Sequence, residues 1–248
     1  MNKRVLIAGE SWVKHISHIK GFDIFTSCEY ETGVGWLRDA LAKNGFEVVH
    51  LPGHEVADGF PFTAKELAAY GAVALSDIGA NSLLLSGDTF NRGRITPNRL
   101  EVIREYVEQG GGFAMIGGYL SFAGIDGKAR YSDTAVDEIL PVKIQSADDR
   151  VEKPEGIVPT VKDKNHAIMK RLGEWPHFLG YNRTVLRPEG RLLAAAGDDP
   201  FVAVREVGKG RTAMFASDAA PHWGPVEFLE WKNYPLFWSR FFGWLCGE

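Results

Sequence analysis

Three consecutive glycines, Gly110 to Gly112, followed by a short apolar run and a second glycine pair, constrain this chain more than any other feature. The segment before them carries Leu100, Ile103 and Val107 at helical spacing, so the triple glycine marks a helix end, where positive φ is needed. Phe113 to Ile116 then have the length and unbroken apolar character of a strand buried on both faces of a parallel sheet. Gly117 and Gly118 let the backbone turn at its carboxyl end, presenting Gly118, Tyr119 and Ser121. In open α/β sheets that edge is where ligands and reacting groups collect.

Earlier segments repeat the same unit. Lys3 to Ala8 reads as a first parallel strand whose exit loop holds Glu10 and Ser11. The stretch to about Tyr30 mixes aromatics, His15, His18 and Cys28 without clear periodicity, and reads as an inserted loop over the sheet edge. No third ligand is spaced to join His15 and His18, so no metal site is expected. A helix from Gly35 to Asn44 leads to a strand at Phe46 to Leu51, with His54 in the turn beyond it. Thr63 to Glu66 is a capping-box pattern, and Ala72 to Ser76 a third strand with Asp77 and Asn81 after its end. Thr96 and Pro97 read as cap and first residue of the helix leading to the triple glycine. Four such units imply a doubly wound, mostly parallel α/β sheet with helices on both faces.

Beyond the turn, a helix ends at Leu140-Pro141, and Val142 to Arg205 breaks into short β-like runs that read as antiparallel additions. Residues 148 to 156 are charged and read as exposed, while His166 and His177 read as structural or solvated. Gly208-Lys209-Gly210 lacks the Lys-Ser/Thr of a phosphate loop and reads as a hairpin turn before a last strand, Thr212 to Ala216, which ends at Ser217-Asp218. Trp231 to Trp244 holds too many large apolar groups for one exposed face and reads as a helix packed on the sheet.

Composition narrows the function classes. A length of 248 residues with 45% apolar content suits one large domain, residues 1 to 248. The net charge of -4 offers no electrostatic footprint for nucleic acid or an anionic membrane. With no long apolar stretch and a strand at the amino terminus, a cytoplasmic protein is expected. Cys28 and Cys246 are too far apart in sequence and too few for a disulfide framework or zinc site. No cofactor is indicated.

The order of strand, Gly117, Gly118, Tyr119 and Leu120 resembles the nucleophile elbow of class I glutamine amidotransferases, whose third turn residue is cysteine. LSDIGANSLLL at 75 to 85 and SDAAPHWG at 217 to 224 are similar to the branch described as putative glutamine amidotransferases. The resemblance implies a flavodoxin-like fold and places His222 as the late histidine that activates the nucleophile. Tyr119 stands at the cysteine position, Ser121 at that of the family's second glycine, and Gly224 where an acid follows the histidine. A phenol with a reference pKa of about 10 is a poor acyl acceptor, so glutaminase activity is not expected. His222-Trp223 also resembles a feature of the trehalose-utilisation-like proteins, which points to a small polar, sugar-like ligand. Glu10, Ser11, Asp77, Asn81, Gly118, Asp218 and Trp223 are then the binding candidates, with Tyr119, Ser121 and His222 as the reactive ones. The alternative is a hydrolase or lyase in which His222 is the base, Ser121 or Tyr119 completes the site, and Asp218 or Glu227 orients the imidazole. A homo-oligomer is compatible with either reading.

Overall fold

In the computed structural model, which describes residues 2–248, the apolar runs become the centre of an eight-stranded sheet. β1 (Arg4–Gly9) leads into an antiparallel ribbon, β2 (Ser11–Lys20) and β3 (Asp23–Thr32), before α1 (Gly35–Ala42) and β4 (Glu47–Leu51). The ribbon corrects the expectation of an irregular loop. Both its faces are largely solvated, so no core face imposes the two-residue alternation that would announce strands. His15 and His18 therefore point to opposite faces, with His18 stacked on Phe25.

Two short helices, α2 (Val56–Gly59) and α3 (Ala64–Leu67), precede β5 (Ala72–Ser76). The Thr63–Glu66 capping box forms as the sequence indicates. α4 (Asn81–Leu84), α5 (Gly87–Arg92) and α6 (Arg99–Glu108) bring the chain to β6 (Gly112–Ile116). The cap of α6 is Asn98, whose carboxamide accepts from Leu100 N, rather than Thr96. The Thr96 hydroxyl is engaged by Thr89 instead.

After α7 (Ala135–Ile139) come β7 (Val142–Ile144), β8 (Arg150–Ile157), β9 (Thr160–Val161), β10 (Phe178–Asn182), β11 (Thr184–Leu186) and β12 (Arg191–Ala196). β13 (Asp199–Val207) and β14 (Gly210–Phe215) form the hairpin expected around Gly208-Lys209. α8 (Val226–Leu229) and α9 (Tyr234–Leu245) complete the chain, with the aromatic α9 packed against β14 and α1.

The sheet order is β4-β1-β5-β6-β14-β13-β12-β9. The first five strands are parallel, and β13, β12 and β9 continue the sheet antiparallel. Ala72 to Ser76 and Gly112 to Ile116 are buried throughout, as strands covered on both faces must be. The chain leaves β1 for β4 on one side and returns to β5 on the other, so the topological switch falls between β1 and β5. Their carboxyl ends carry Glu10 and Asp77 to that crevice. No helix among the described residues is long and apolar enough to cross a membrane.

Candidate functional site

The carboxyl ends of β1, β5, β6 and β14 meet around a cavity of about 710 Å³. Glu10, Asp77, Tyr119, Asp218 and His222 all line it, so five sequence candidates converge. Three of them, Glu10 (φ 49°), Asp77 (φ 44°) and His222 (φ 143°), hold positive φ without being glycine. Such backbone costs about 1–3 kcal/mol per residue and collects where geometry serves a ligand or reaction.

Glu10 is held by Ser76, whose hydroxyl donates to Oε2. Burial, and then the neighbouring Asp218 and Asp77 carboxylates, push its pKa up to about 8. Burial and Asp218 likewise raise Asp77, to about 6, although Leu120 N donates to Asp77 Oδ1 at 2.7 Å. Glu10 is therefore mainly a neutral acid at pH 7, able to donate a hydrogen bond into the cavity, while Asp77 is mainly ionised.

Asp218 Oδ2 accepts from Trp223 N at 3.0 Å and lies 2.8 Å from His222 Nδ1. This contact raises the His222 pKa above its ordinary value, while burial raises Asp218 despite the imidazole. Asp218, rather than Glu227, is the acid that orients the imidazole. Glu227 lies 4.0 Å from His177. With Nδ1 committed, Nε2 is the ring nitrogen free to exchange a proton with a ligand.

Tyr119 packs its ring edge-on to His222 at 4.4 Å between centroids, and its hydroxyl donates to Glu152 Oε1 at 2.9 Å. Burial and the Glu152 carboxylate raise the phenol's pKa, which keeps it protonated. Gly118, at φ 146°, supplies the positive-φ position of the turn, and a Cβ there would come within 2.8 Å of Asp77 Oδ1 and 3.0 Å of Asp218 Oδ1. Only glycine lets these two carboxyls close over the strand end. The turn differs from a nucleophile elbow in two respects: Tyr119 does not itself carry the positive φ, and no α-helix follows it, only turns and a 3₁₀ segment at Ile125–Gly127.

Other candidates lie outside the cavity lining. Ser121 is buried with its hydroxyl donating to Ile116 O at 2.5 Å and accepting from Asp77 N at 3.1 Å, which ties the turn to β5. Ser11 Oγ accepts from Gly53 N at 2.7 Å, and Asn81 is exposed on α4. Neither Ser11 nor Asn81 lines the cavity. Trp223 is buried; its Nε1 donates to Glu152 Oε2 at 2.9 Å, so it braces Tyr119 and His222 from behind. It does not line the cavity.

Sequence reasoning missed two groups. Trp12, Lys14 and Glu31 from the ribbon, with Trp36 of α1, form one wall of the cavity. Residues 148 to 156, read as an exposed charged run, instead contain buried Asp149 and the Glu152 that anchors Tyr119. Asp149 accepts from Ala123 N and Gly124 N at 2.9 Å and from Asn182 Nδ2 at 2.8 Å, while Asn182 Oδ1 accepts from Gly118 N at 3.0 Å. Val151 is the one aliphatic side chain from 148 to 156, so the segment offers no strand alternation and nothing that says which acid turns inward. No group of three or more His, Cys, Asp or Glu among the described residues is arranged to hold a metal ion.

The family described as "Putative glutamine amidotransferase" matches residues 4–247. Two cytoplasmic proteins of Salmonella typhimurium are similar throughout. STM3548 is 44% identical, with 97% of this chain and 98% of that one covered and a TM-score of 0.95. STM1381 is 42% identical, with 98% and 99% covered and a TM-score of 0.94. A ThuA-like protein from Parabacteroides merdae shares the fold at 14% identity and a TM-score of 0.60, with 99% of this chain and 90% of that one covered. No curated protein matches.

Proposed function

Since this chain belongs to the glutamine amidotransferase-like family but carries tyrosine at the turn where that family's nucleophile is expected, we propose that it is a single-domain cytoplasmic protein that binds a small polar ligand and does not hydrolyse glutamine. The observation that carries this reading is the composition of the cavity: carboxyl groups of Glu10, Asp77 and Asp218 on its floor, and the rings of Trp12, Trp36 and Tyr119 on its walls. Buried carboxylates repel an anion, whereas hydroxyl groups can donate to Asp77 and Asp218 and accept from neutral Glu10. Flat aromatic walls suit the apolar face of a sugar-like ring. The ligand class is therefore an uncharged, polyhydroxylated small molecule. Support for the cytoplasmic placement comes from the descriptions of the two Salmonella proteins.

Calorimetric titration with neutral sugars and polyols, alongside their phosphorylated and uronate counterparts, tests this. Saturable binding of a neutral member, weakened at least tenfold (about 1.4 kcal/mol) in His222→Ala, is expected. Binding confined to the anionic members refutes the reading.

A second reading rests on the Asp218–His222 contact, which has the geometry of an oriented acid–base pair. A hydrolase or lyase working through it would turn over an ester, lactone or glycoside panel with a pH profile set by His222, and Asp218→Asn would shift that profile to lower pH by removing the group that raises the imidazole. With Ser121 committed to two backbone partners, the base would act on a water or on the ligand itself.

Glutamine is not expected to release ammonia with the unmodified chain, because the Tyr119 phenol cannot form the thioester. Ammonia release that persists in the Cys28→Ser, Cys246→Ser double variant would show that a different nucleophile operates.

A further inference from the structure

The β2–β3 ribbon has two unlike faces. Residues paired across an antiparallel ladder share a face, and alternate residues fall on opposite ones. The register Lys14↔Glu29 and Lys20↔Asp23, with Glu31 opposite Trp12, puts every lysine, aspartate and glutamate of the two strands on one face. The other face runs from Val13 and Tyr30 at the base, through His15 and Cys28 and then Ser17 and Thr26, to Ile19 and Ile24 near the tip, without a lysine, arginine, aspartate or glutamate. Tyr30 at its base packs edge-on to His54 at 5.3 Å, but towards the tip nothing in the chain covers it: Ile19 is 71% exposed and Ile24 67%, and Phe22 at the tip is fully exposed. An isolated two-stranded ribbon is marginally stable in water, and exposed apolar side chains grouped at its tip invite association.

We propose that this uncharged face is the docking surface for a second copy of the chain, with two ribbons packed face to face about a two-fold axis. A two-fold contact requires a surface complementary to itself. A face free of lysine, arginine, aspartate and glutamate meets that condition because its burial opposes no fixed like charges, with His15, beside Cys28, its one imidazole. A strongly charged partner would find no counter-charge here. A standard interface takes roughly 800 Å² from each partner, and this face, with Phe22 at the tip, presents Val13, Ile19, Phe22, Ile24 and Tyr30 each 46% exposed or more. The charged face stays outside the contact, and its base carries Trp12, Lys14 and Glu31 to the cavity wall.

The face assignment gives a paired test on the full chain. Analytical ultracentrifugation over a concentration series is expected to show a dimer. Ile24→Asp places a charge in the interface and weakens dimerisation at least tenfold, whereas Phe25→Asp, one residue on but on the opposite face, leaves it unchanged. Cys28 lies near the middle of the ribbon on the uncharged face, close to the expected axis. In a Cys246→Ser background a short bis-maleimide therefore links two copies through Cys28, and adding Ile24→Asp abolishes the link. A monomer at every concentration, a dimer indifferent to Ile24→Asp, or equal losses from Ile24→Asp and Phe25→Asp overturns the proposal, whether the face then binds lipid, another protein or nothing.

Discussion

Glu10→Gln is expected to be more stable than the parent protein above pH 8 and to remove a decline in stability that begins near pH 4.5. The Glu10 pKa is raised from 4.5 to about 8 in the folded chain by burial and by the Asp218 and Asp77 carboxylates. Between these values the folded state holds a proton that the unfolded chain has released, so unfolding stability falls as pH rises. The contribution is complete below pH 4.5 and lost once pH passes through 8. At about 1.4 kcal/mol per pKa unit, the decline amounts to roughly 5 kcal/mol. Glutamine keeps the shape and can still accept from Ser76, but carries no proton to lose. Urea denaturation of both proteins from pH 5 to 9 reads the difference directly; parallel stability curves would mean that Glu10 is ionised in the fold at neutral pH. Asp77, raised to about 6, contributes a smaller decline of the same sign between 3.8 and 6, which both proteins retain.

Asp149→Ala should be the most damaging single change outside the apolar core. The carboxylate is buried and accepts from Ala123 N, Gly124 N and Asn182 Nδ2. Removing it leaves three donors without partners, at about 1–3 kcal/mol each, for a total of roughly 3–9 kcal/mol. The effect reaches the cavity through Asn182, whose Oδ1 fixes Gly118 N and hence the turn that carries Tyr119. Asp149→Asn keeps an acceptor but turns an amide toward at least one of the donors, so it should fall between the parent and the alanine variant. A loss below about 1 kcal/mol for alanine in urea denaturation, against the usual cost of burying unpaired donors, would show that water replaces the carboxylate.

The strand ends at Ser76 and Ile116, and that of the first strand to within one residue (Ala8 expected, Gly9 found), were legible in the chain because their causes are local. A strand covered on both faces needs an unbroken apolar run, and the polar residue or glycine that follows marks where it ends. Glu10, Asp77, Tyr119 and Asp218 follow from that placement, since parallel strands carry their exit loops to one edge of the sheet, whereas His222 came from the family resemblance. The capping box at Thr63 and the hairpin at Gly208 are local in the same sense.

Tertiary structure alone decided the rest. Whether Ser121 faces the cavity or the backbone of β6 depends on a turn that ends without a helix, and the amino acids from Tyr119 to Gly124 do not distinguish these outcomes. The choice of Asp218 over Glu227 as the partner of His222 rests on a positive φ at His222, a conformation the chain would not adopt without the packing around it. Asp149 and Glu152 look like any solvated acids because the donors they satisfy lie 25 or more residues away along the chain. The ribbon gave no periodic signal because neither of its faces meets the core of its own chain. Local composition determined where the strands stop and which residues share their edge; long-range hydrogen bonds and burial determined which of those residues face the cavity and which hold the wall behind it.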